Sequence, residues 1–310
     1  MSKTAFVFPG QGAQYVGMGK QLAEEFKAAG DIFDQATEAL GFDVRKMIFE
    51  SDDETLKITE NTQPAILTTS IACLQPLLEK GIKADVVAGL SLGEYSAHVA
   101  AGTMSFKDAV ALVRKRGKYM QEAVPLGIGA MAAILGLDGA DVVACCKEAS
   151  GVGVVEPANF NCPGQIVVAG EVKAVEKVVE LCKEKGAKRS MLLPVSAPFH
   201  CSLLKPAGDK LSVELEKVQL NEMKLPVVTN VTAEYITDSS KVKDLLIRQV
   251  SNSVLWENSI IKMLENGIDT FIEIGPGKVL SGFVKKVSKE VRTLNVEDLD
   301  SLNKTLAELG

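Results

Sequence analysis

The stretch Ala84-Asp85-Val86-Val87-Ala88-Gly89-Leu90-Ser91-Leu92-Gly93 decides the fold class of this chain. Its apolar run over Ala84–Gly89 is typical of a buried parallel strand, and the helical pattern of Glu94–Ala101 follows immediately. Residues 89–93 fit G-x-S-x-G, in which a glycine on each side allows a tight strand-to-helix turn. We therefore predict that Ser91 is a nucleophile on such a turn. The alternative is an ordinary turn in which the serine caps the helix.

Apolar runs bounded by glycine and proline alternate with helical patterns along much of the chain, as they do in parallel α/β proteins. The clearest predicted strands are Ala5–Phe8, Ala84–Gly89, Pro226–Thr229 and Thr270–Ile274. Ser105 and Asp108 form a capping-box-like start for a helix over Ser105–Glu122. Residues 61–78 carry no charge, but two prolines and several polar side chains favour a buried helix over a membrane span.

The order of elements changes from about Pro125 onward. The patterns there predict the order βαββαβ of a ferredoxin-like unit, with helices at Gly139–Ala149 and Glu171–Lys185 and strands at Met131–Leu135, Val152–Glu156, Gln165–Ala169 and Arg189–Leu193. We therefore expect a large α/β domain of residues 1–124 and 196–310, with a small subdomain of residues 125–195 inserted into it.

Composition argues against several classes of protein. With 34 Lys and Arg against 40 Asp and Glu, the net charge of −6 argues against nucleic-acid binding, which normally needs a basic excess. The 6 cysteines show no CxxC spacing, so neither a metal site nor a disulfide framework is expected. The first apolar run ends at Pro9, too early for a signal peptide, and we expect a cytoplasmic protein that does not enter the membrane.

A serine nucleophile needs a base, and the chain has only 2 histidines. His98 follows Ser91 on the same predicted helix, about 10 Å further along the axis, and is out of reach. By elimination we predict that His200, in the loop Ser196–His200, is the base. A loop histidine without a chemical role is the alternative. No acidic partner is evident, so a backbone carbonyl is the candidate for orienting the imidazole.

Two polar side chains fall on apolar helix faces. The face that includes Arg116 is formed by Ala109, Leu112, Val113 and Met120. A buried guanidinium must be paired, so Arg116 either forms an internal ion pair or binds the carboxylate of a ligand. Gln249 lies in the same way among Val242, Leu245, Leu246 and Val250. It is either a satisfied core amide or part of a site.

A glycine-rich loop, Pro9–Gln14, follows the first predicted strand. It is not a dinucleotide fingerprint, because Tyr15 stands where G-x-G-x-x-G needs its third glycine, and it lacks the lysine of a P-loop. In hydrolase-like folds an N–H from an early strand-to-helix loop joins the N–H after the nucleophile to form the oxyanion hole. Gln11 and Leu92 are the candidates for these donors, with an ordinary turn as the alternative.

The segments that carry these residues resemble, over nearly the whole chain, the malonyl-CoA:acyl-carrier-protein transacylase family of fatty-acid synthesis. They are Phe8-Pro9-Gly10-Gln11-Gly12-Ala13-Gln14, Gly89-Leu90-Ser91-Leu92-Gly93-Glu94-Tyr95, Arg114-Lys115-Arg116-Gly117, Asn159-Phe160-Asn161-Cys162-Pro163-Gly164-Gln165, Ala197-Pro198-Phe199-His200 and Glu273-Ile274-Gly275-Pro276-Gly277. The resemblance implies an α/β-hydrolase-like large domain with a parallel sheet, an inserted ferredoxin-like subdomain and an active site in the cleft between them. Leu90 departs from the pattern, because the family usually has histidine there, and this puts the packing and hydrogen bonding around the turn in question.

The resemblance also implies a transferase that moves a malonyl group from coenzyme A to the phosphopantetheine thiol of acyl carrier protein. Ser91 would carry the acyl group, His200 would act as base and then as acid, and Arg116 would hold the malonyl carboxylate. No metal or other cofactor is required. A serine thioesterase or hydrolase, an acyltransferase of polyketide synthesis and a non-catalytic carrier-docking module are the alternatives.

Further residues match family positions around the site. Gln11 and Leu92 correspond to the oxyanion donors, and Gln249 to a glutamine whose backbone carbonyl contacts the catalytic histidine. Asn159 and Asn161 match a stretch that faces the cleft, where contact with the acyl or pantetheine part is expected. Carrier proteins are usually acidic, so docking on this acidic chain needs a local basic patch, for which the candidates are Lys183, Lys185, Lys188 and Arg189. A monomer is expected.

Overall fold

Ten strands form two separate sheets in the computed structural model, which describes residues 2–195 and 197–310. The strands are β1 (Thr4–Phe8), β2 (Val86–Gly89), β3 (Gly129–Leu135), β4 (Val155–Cys162), β5 (Gln165–Glu171), β6 (Arg189–Leu192), β7 (Val227–Val228), β8 (Tyr235–Ile236), β9 (Thr270–Ile274) and β10 (Arg292–Val296). The α-helices are α1 (Lys20–Glu25), α2 (Lys27–Leu40), α3 (Val44–Phe49), α4 (Asp53–Lys57), α5 (Thr59–Glu79), α6 (Gly93–Ala100), α7 (Phe106–Glu122), α8 (Gly139–Ala149), α9 (Val172–Glu184), α10 (Lys205–Glu216), α11 (Val242–Ser251), α12 (Trp256–Glu265), α13 (Val279–Val287) and α14 (Leu299–Leu309). Short 3₁₀ turns cover Ser202–Leu204 and Ser239–Lys241.

The larger sheet has the strand order β10-β9-β1-β2-β7-β8, and only the edge strand β8 runs antiparallel to its neighbour. Its central strands β1 and β2 pair in register, with Ala5 opposite Val86 and Phe8 opposite Gly89. Because parallel strands end at the same edge of the sheet, the loop after β1 and the turn after β2 lie side by side. The predicted parallel α/β class is confirmed, as are the four predicted strands of this sheet, although β2 and β7 are shorter than expected.

Two glycines allow this loop and this turn to approach each other closely. A Cβ on Gly93 would lie 2.1 Å from the carbonyl oxygen of Phe8, and a Cβ on Gly10 would lie 2.6 Å from the carbonyl oxygen of Leu90. The backbone also joins them, because the N–H of Leu90 donates to the Phe8 carbonyl at 3.0 Å. Any larger residue at either glycine would separate the two loops that line the site.

Two predicted helices are present as expected. The uncharged stretch forms α5, which is buried along most of its length and contains Pro64 and Pro76. No helix within residues 2–195 and 197–310 combines the length and hydropathy that crossing a membrane requires. Helix α7 begins after Ser105, whose side chain accepts a hydrogen bond from the N–H of Asp108 at 3.1 Å. Its apolar face packs into the core and carries Arg116 inward with it.

The smaller sheet has the order β4-β5-β3-β6, and every neighbouring pair is antiparallel. Helices α8 and α9 pack on one face of it, over a core that includes Ala132, Ile134 and Val168. On the opposite face, Met131 and Val167 join the large core cluster of the rest of the chain. The predicted βαββαβ unit is therefore confirmed.

One strand of this unit was predicted in the wrong place. The prediction put it at Val152–Glu156, but β4 begins at Val155 and continues to Cys162. Register shifts occur in β4 on both sides of Asn159 and Phe160, and Pro157 interrupts the pattern, so the alternation expected of a strand is lost. Asn159 and Asn161 consequently lie on a strand rather than in the loop that follows it.

Two strands were missed altogether. Strand β8 is only two residues long. Strand β10 lies at the sheet edge, where buried Leu294 and Val296 alternate with more exposed residues, so it lacks the continuous apolar run of a central parallel strand. The elements of the smaller sheet fall within the predicted range 125–195, whose boundaries stay a prediction. Met1 and Ser196, the first residues of the two predicted large-domain segments, lie outside the described residues.

Candidate active site

Ser91 lies on the turn between β2 and α6 in a backbone conformation that is rare for a residue with a side chain. Its φ is 51°, within the left-handed region that favours glycine. The N-cap of α6 is Leu92, and no side chain caps the helix. Instead, the Ser91 Oγ lies 2.7 Å from Nε2 of His200. The alternative of a serine that only caps the helix is therefore wrong.

His200 also has a positive φ, 61°, and only 4% of its surface is exposed. Its Nδ1 lies 2.8 Å from the backbone carbonyl oxygen of Gln249. A carbonyl can only accept, so Nδ1 carries the hydrogen and the lone pair of Nε2 points at Ser91. The expected backbone carbonyl thus contacts the imidazole. His98 is buried on α6, with Nε2 4.0 Å from Oε1 of Glu94.

The surroundings of His200 keep the imidazole neutral. Burial, and next the positive charge of Arg116, lower the pKa of His200 to about 4. At neutral pH the ring is therefore unprotonated and able to accept the hydroxyl proton of Ser91. A titratable group whose pKa is strongly shifted, next to a side chain that can act as a nucleophile, is a common feature of active sites.

Arg116 is buried next to the serine, and its described hydrogen bonds go to no carboxylate. Its Nη1 donates to Oε1 of Gln63 at 2.8 Å, and its Nη2 donates to Oε1 of Gln249 at 3.0 Å and to Oγ of Ser91 at 3.1 Å. In residues 2–195 and 197–310 it forms no salt bridge, so the alternative of an internal ion pair is wrong. Two neutral amides hold the guanidinium, and its charge is left available for a ligand's carboxylate.

Gln249 points inward from α11, as its place on an apolar face predicts. Its Nε2 donates to the backbone carbonyl of Ser91 at 2.9 Å and to Oε2 of Glu94 at 2.7 Å. Its side-chain oxygen accepts from Arg116, and its backbone oxygen faces His200. One residue therefore contacts the nucleophile, the base and the buried cation.

Sequence reasoning missed three residues that form hydrogen bonds with the predicted site residues: Gln63, Glu94 and Asn230. The Oδ1 of Asn230 accepts the N–H of Ser91 at 2.6 Å, while its Nδ2 donates to the carbonyl of Gly89 at 2.7 Å. Asn230 follows β7, which pairs with β2. Its place at the carboxyl end of that strand is the one sequence signal that it belongs to the site. Gln63 lies in the uncharged stretch 61–78, whose pattern indicates only a buried helix.

Leu90, the departure from the family pattern, makes no hydrogen bond with its side chain. It lines the cavity and packs against a core cluster that includes Val86, Ala88 and Trp256. The side chains that hold the turn by hydrogen bonds are Asn230 and Gln249. The turn therefore keeps its geometry without a polar side chain at position 90.

The serine opens into a cavity of about 650 Å³ that the two candidate oxyanion donors also line. Within the described part of the chain, the backbone N–H groups of Gln11 and Leu92 donate to no other group. Asn159 and Asn161 line the same cavity from β4, and the side-chain oxygen of buried Asn161 has no partner among the described residues. All eight predicted site residues therefore line the cavity or contact one that does.

The four basic candidates for docking lie apart from this cavity. Lys183 is in the last turn of α9, Lys185 and Lys188 follow it, and Arg189 begins β6; all four are exposed. None of them is among the residues that line the cavity.

As for metals, no cluster of three or more His, Cys, Asp or Glu side chains in residues 2–195 and 197–310 is arranged to hold an ion.

The fold and the Ser91–His200 pair define an acyltransferase: the acyl transferase domain family matches residues 5–304, and the chain belongs to this family. A relative from Bacillus subtilis (strain 168), 51% identical over 100% of this chain and 98% of its own length, is named malonyl CoA-acyl carrier protein transacylase. A relative of the same name from Escherichia coli (strain K12) is 47% identical over 100% of this chain and 99% of its own.

Solved structures of proteins with similar names have the same fold as this chain. A malonyl CoA-acyl carrier protein transacylase from Clostridium perfringens superposes with a TM-score of 0.97 at 51% identity, covering 99% of this chain and 97% of that one. A malonyl-transacylase in complex with its type II PKS acyl-carrier protein superposes with a TM-score of 0.96 at 43% identity, covering 99% of this chain and 100% of that one. The likeness includes both sheets.

The low pKa of His200 predicts how the reactivity of Ser91 depends on pH. Protonation removes the base, so labelling of Ser91 by a fluorophosphonate should be constant from about pH 8 to about pH 5 and half-maximal near pH 4. Labelling rates are measured by intact mass, with circular dichroism at each pH to verify folding and Ser91→Ala as the unlabelled control. A midpoint near the ordinary histidine value of about 6.5 in folded protein would contradict the prediction.

Proposed function

We propose that this protein transfers a malonyl group from malonyl-CoA to the phosphopantetheine thiol of acyl carrier protein through a malonyl-Ser91 intermediate. The observation that carries the proposal is the buried guanidinium of Arg116. Its Nη2 lies 3.1 Å from the Oγ of Ser91, and two neutral side-chain amides hold it in place. A carboxylate attached to the acyl group would reach it only if the acyl chain were short. Malonyl, with one methylene between its carboxylate and its thioester carbonyl, meets this condition.

The first half-reaction forms the acyl-enzyme. Nε2 of His200 takes the proton of Ser91 Oγ as the oxygen attacks the thioester carbonyl. The N–H groups of Gln11 and Leu92 stabilise the negative charge on the carbonyl oxygen of the tetrahedral intermediate. The carbon–sulfur bond then breaks, the carbonyl re-forms as an ester of Ser91, and the departing coenzyme A sulfur receives the proton from His200.

The second half-reaction runs the same steps in reverse with a different thiol. His200 takes the proton of the phosphopantetheine thiol, and the sulfur attacks the ester carbonyl under the same two N–H groups. The bond to Ser91 Oγ breaks, and His200 returns its proton to that oxygen. One imidazole thus serves as base and acid in turn, and these steps use no metal or redox cofactor.

Intact mass spectrometry tests the intermediate. Mixing with malonyl-CoA should add one malonyl group, about 86 Da, to the protein, and Ser91→Ala should add none. The adduct should persist in buffer and disappear when holo carrier protein is added, with malonyl appearing on the carrier. An adduct lost to water at the same rate without a thiol would favour a hydrolase, and no adduct at all would favour a docking module.

Replacing Arg116 tests the specificity for a carboxylated acyl group. Arg116→Ala leaves the malonyl carboxylate buried without a partner, so kcat/KM for malonyl-CoA should fall at least about 100-fold, or ~2.7 kcal/mol. Acetyl transfer, which needs no cation, should fall much less. Arg114→Ala is the matched control, because that arginine lies on the same helix but pairs with Glu60 outside the cavity. Equal losses for malonyl and acetyl would contradict this role.

Several finer points form part of the proposal. Asn161, with its unpartnered oxygen, and Asn159 would contact the acyl or pantetheine part of the substrate from β4. The carrier would dock at the basic patch named above, and the protein would work as a cytoplasmic monomer in fatty-acid synthesis. The relative solved with a type II PKS acyl-carrier protein supports the kind of partner.

Neutralising the basic patch tests the docking surface. Changing Lys183, Lys185, Lys188 and Arg189 together to glutamine should raise the KM for carrier protein about tenfold at low salt and weaken its salt dependence. Acylation of Ser91 by malonyl-CoA should change less. A control variant with four exposed lysines away from the cavity, Lys20, Lys27, Lys46 and Lys107, should behave as wild type. An unchanged KM for the patch variant would refute this surface.

A further inference from the structure

Glu94 is a buried carboxylate directly behind the catalytic turn, and the mechanism above assigns it no role. Only 1% of its surface is exposed. Its Oε2 accepts two hydrogen bonds, from Nε2 of Gln249 at 2.7 Å and from the backbone N–H of Asn230 at 3.1 Å. Its Oε1 has no partner among the described residues and lies 4.0 Å from Nε2 of His98.

The bond to Gln249 determines which way that amide faces. With Nε2 donating to Glu94 and to the Ser91 carbonyl, the amide oxygen is turned toward Nη2 of Arg116. A reversed amide would bring its N–H groups against the guanidinium N–H groups and its oxygen against the carboxylate. Both contacts are repulsive, because they set donor against donor and acceptor against acceptor. The carboxylate therefore selects the orientation that holds the cation.

Glu94 also reaches the nucleophile through Asn230. The side chain of Asn230 accepts the N–H of Ser91 at 2.6 Å and donates to the Gly89 carbonyl, while its backbone N–H is bound by Glu94. Burial raises the pKa of Glu94 to about 7, despite the bonds from Gln249 and Asn230. A proton gained on Oε1 leaves Oε2 able to accept both bonds, so its hydrogen-bonding role is independent of its charge.

We propose that Glu94 is a positioning residue, whose Oε2 sets the Gln249 amide and so directs the Arg116 guanidinium toward the substrate carboxylate. The inference rests on the proposed malonyl transfer and deepens it. It assigns part of the selectivity for a carboxylated acyl group to a residue that does not touch the substrate.

Two substitutions of similar size separate this role from simple packing. Glu94→Leu removes the acceptor, and we expect the ratio of malonyl to acetyl kcat/KM to fall about 10- to 100-fold as the amide and guanidinium lose their orientation. Glu94→Gln can keep an oxygen at the Oε2 position, and its ratio should stay within about threefold of wild type. If the Glu94→Leu variant does not fold, Glu94→Asp takes its place, because aspartate withdraws the carboxylate from Gln249 by one methylene.

Glu273 provides a matched control. It is another fully buried carboxylate, whose oxygens accept from the backbone N–H groups of Leu280 and Ser281 at 3.0 and 2.7 Å, and burial likewise raises its pKa to about 7. It does not line the cavity. Glu273→Gln and Glu273→Leu should change the denaturation midpoint but leave the malonyl-to-acetyl ratio at the wild-type value.

Four results would each have a definite meaning. An unchanged ratio in folded Glu94→Leu or Glu94→Asp would overturn the positioning role, as would a glutamine variant that loses the ratio as fully as the leucine variant. A reduced ratio that glutamine restores would support it. If the wild-type protein forms no malonyl-Ser91, the proposed function itself fails, and this outcome is distinct because it is read before any variant is compared.

Discussion

A guanidinium buried beside the Ser91 hydroxyl is the constraint on which the rest of the site depends. Removing Arg116 from water is costly unless its N–H groups find acceptors, and two amide oxygens and the serine Oγ accept from Nη1 and Nη2, while Nε has no partner among the described residues. Acidic acceptors would have neutralised the cation. Neutral ones accept from both Nη atoms without cancelling the positive charge, so the contacts that make burial tolerable also leave that charge available to a ligand.

The charge of Arg116 also acts on His200. Burial and, after it, the positive charge of Arg116 lower the pKa of His200. The imidazole is therefore neutral, which is the form that can accept a proton. The backbone carbonyl of Gln249 orients the ring without introducing the negative charge of an acidic third member, which would raise that pKa. The site thus combines a buried cation with a neutral imidazole, and Gln249 contacts both.

Much of the site was predictable because its chemistry leaves marks in the sequence. Ser91 was identified from its flanking glycines, His200 from the scarcity of histidine and Arg116 from its place on an apolar helix face. Asn230 and Glu94 were not identified, because a polar residue after a short strand or at a helix start has many ordinary explanations. The bounds of β4 were wrong because shifts in strand register are set by the partner strand and by Pro157.

The sequence by itself determined the parallel α/β class and the βαββαβ unit, and it singled out Ser91, His200 and Arg116 as the candidate nucleophile, base and cation. These follow from local patterns, since hydrophobic periodicity, turn glycines and rare residue types are properties of short segments. Only the tertiary structure decided that Arg116 has amide partners rather than an ion pair, and that Glu94 and Asn230 support the turn. Those contacts join residues from 53 to 155 positions apart, and no local pattern specifies the pairing of such distant segments.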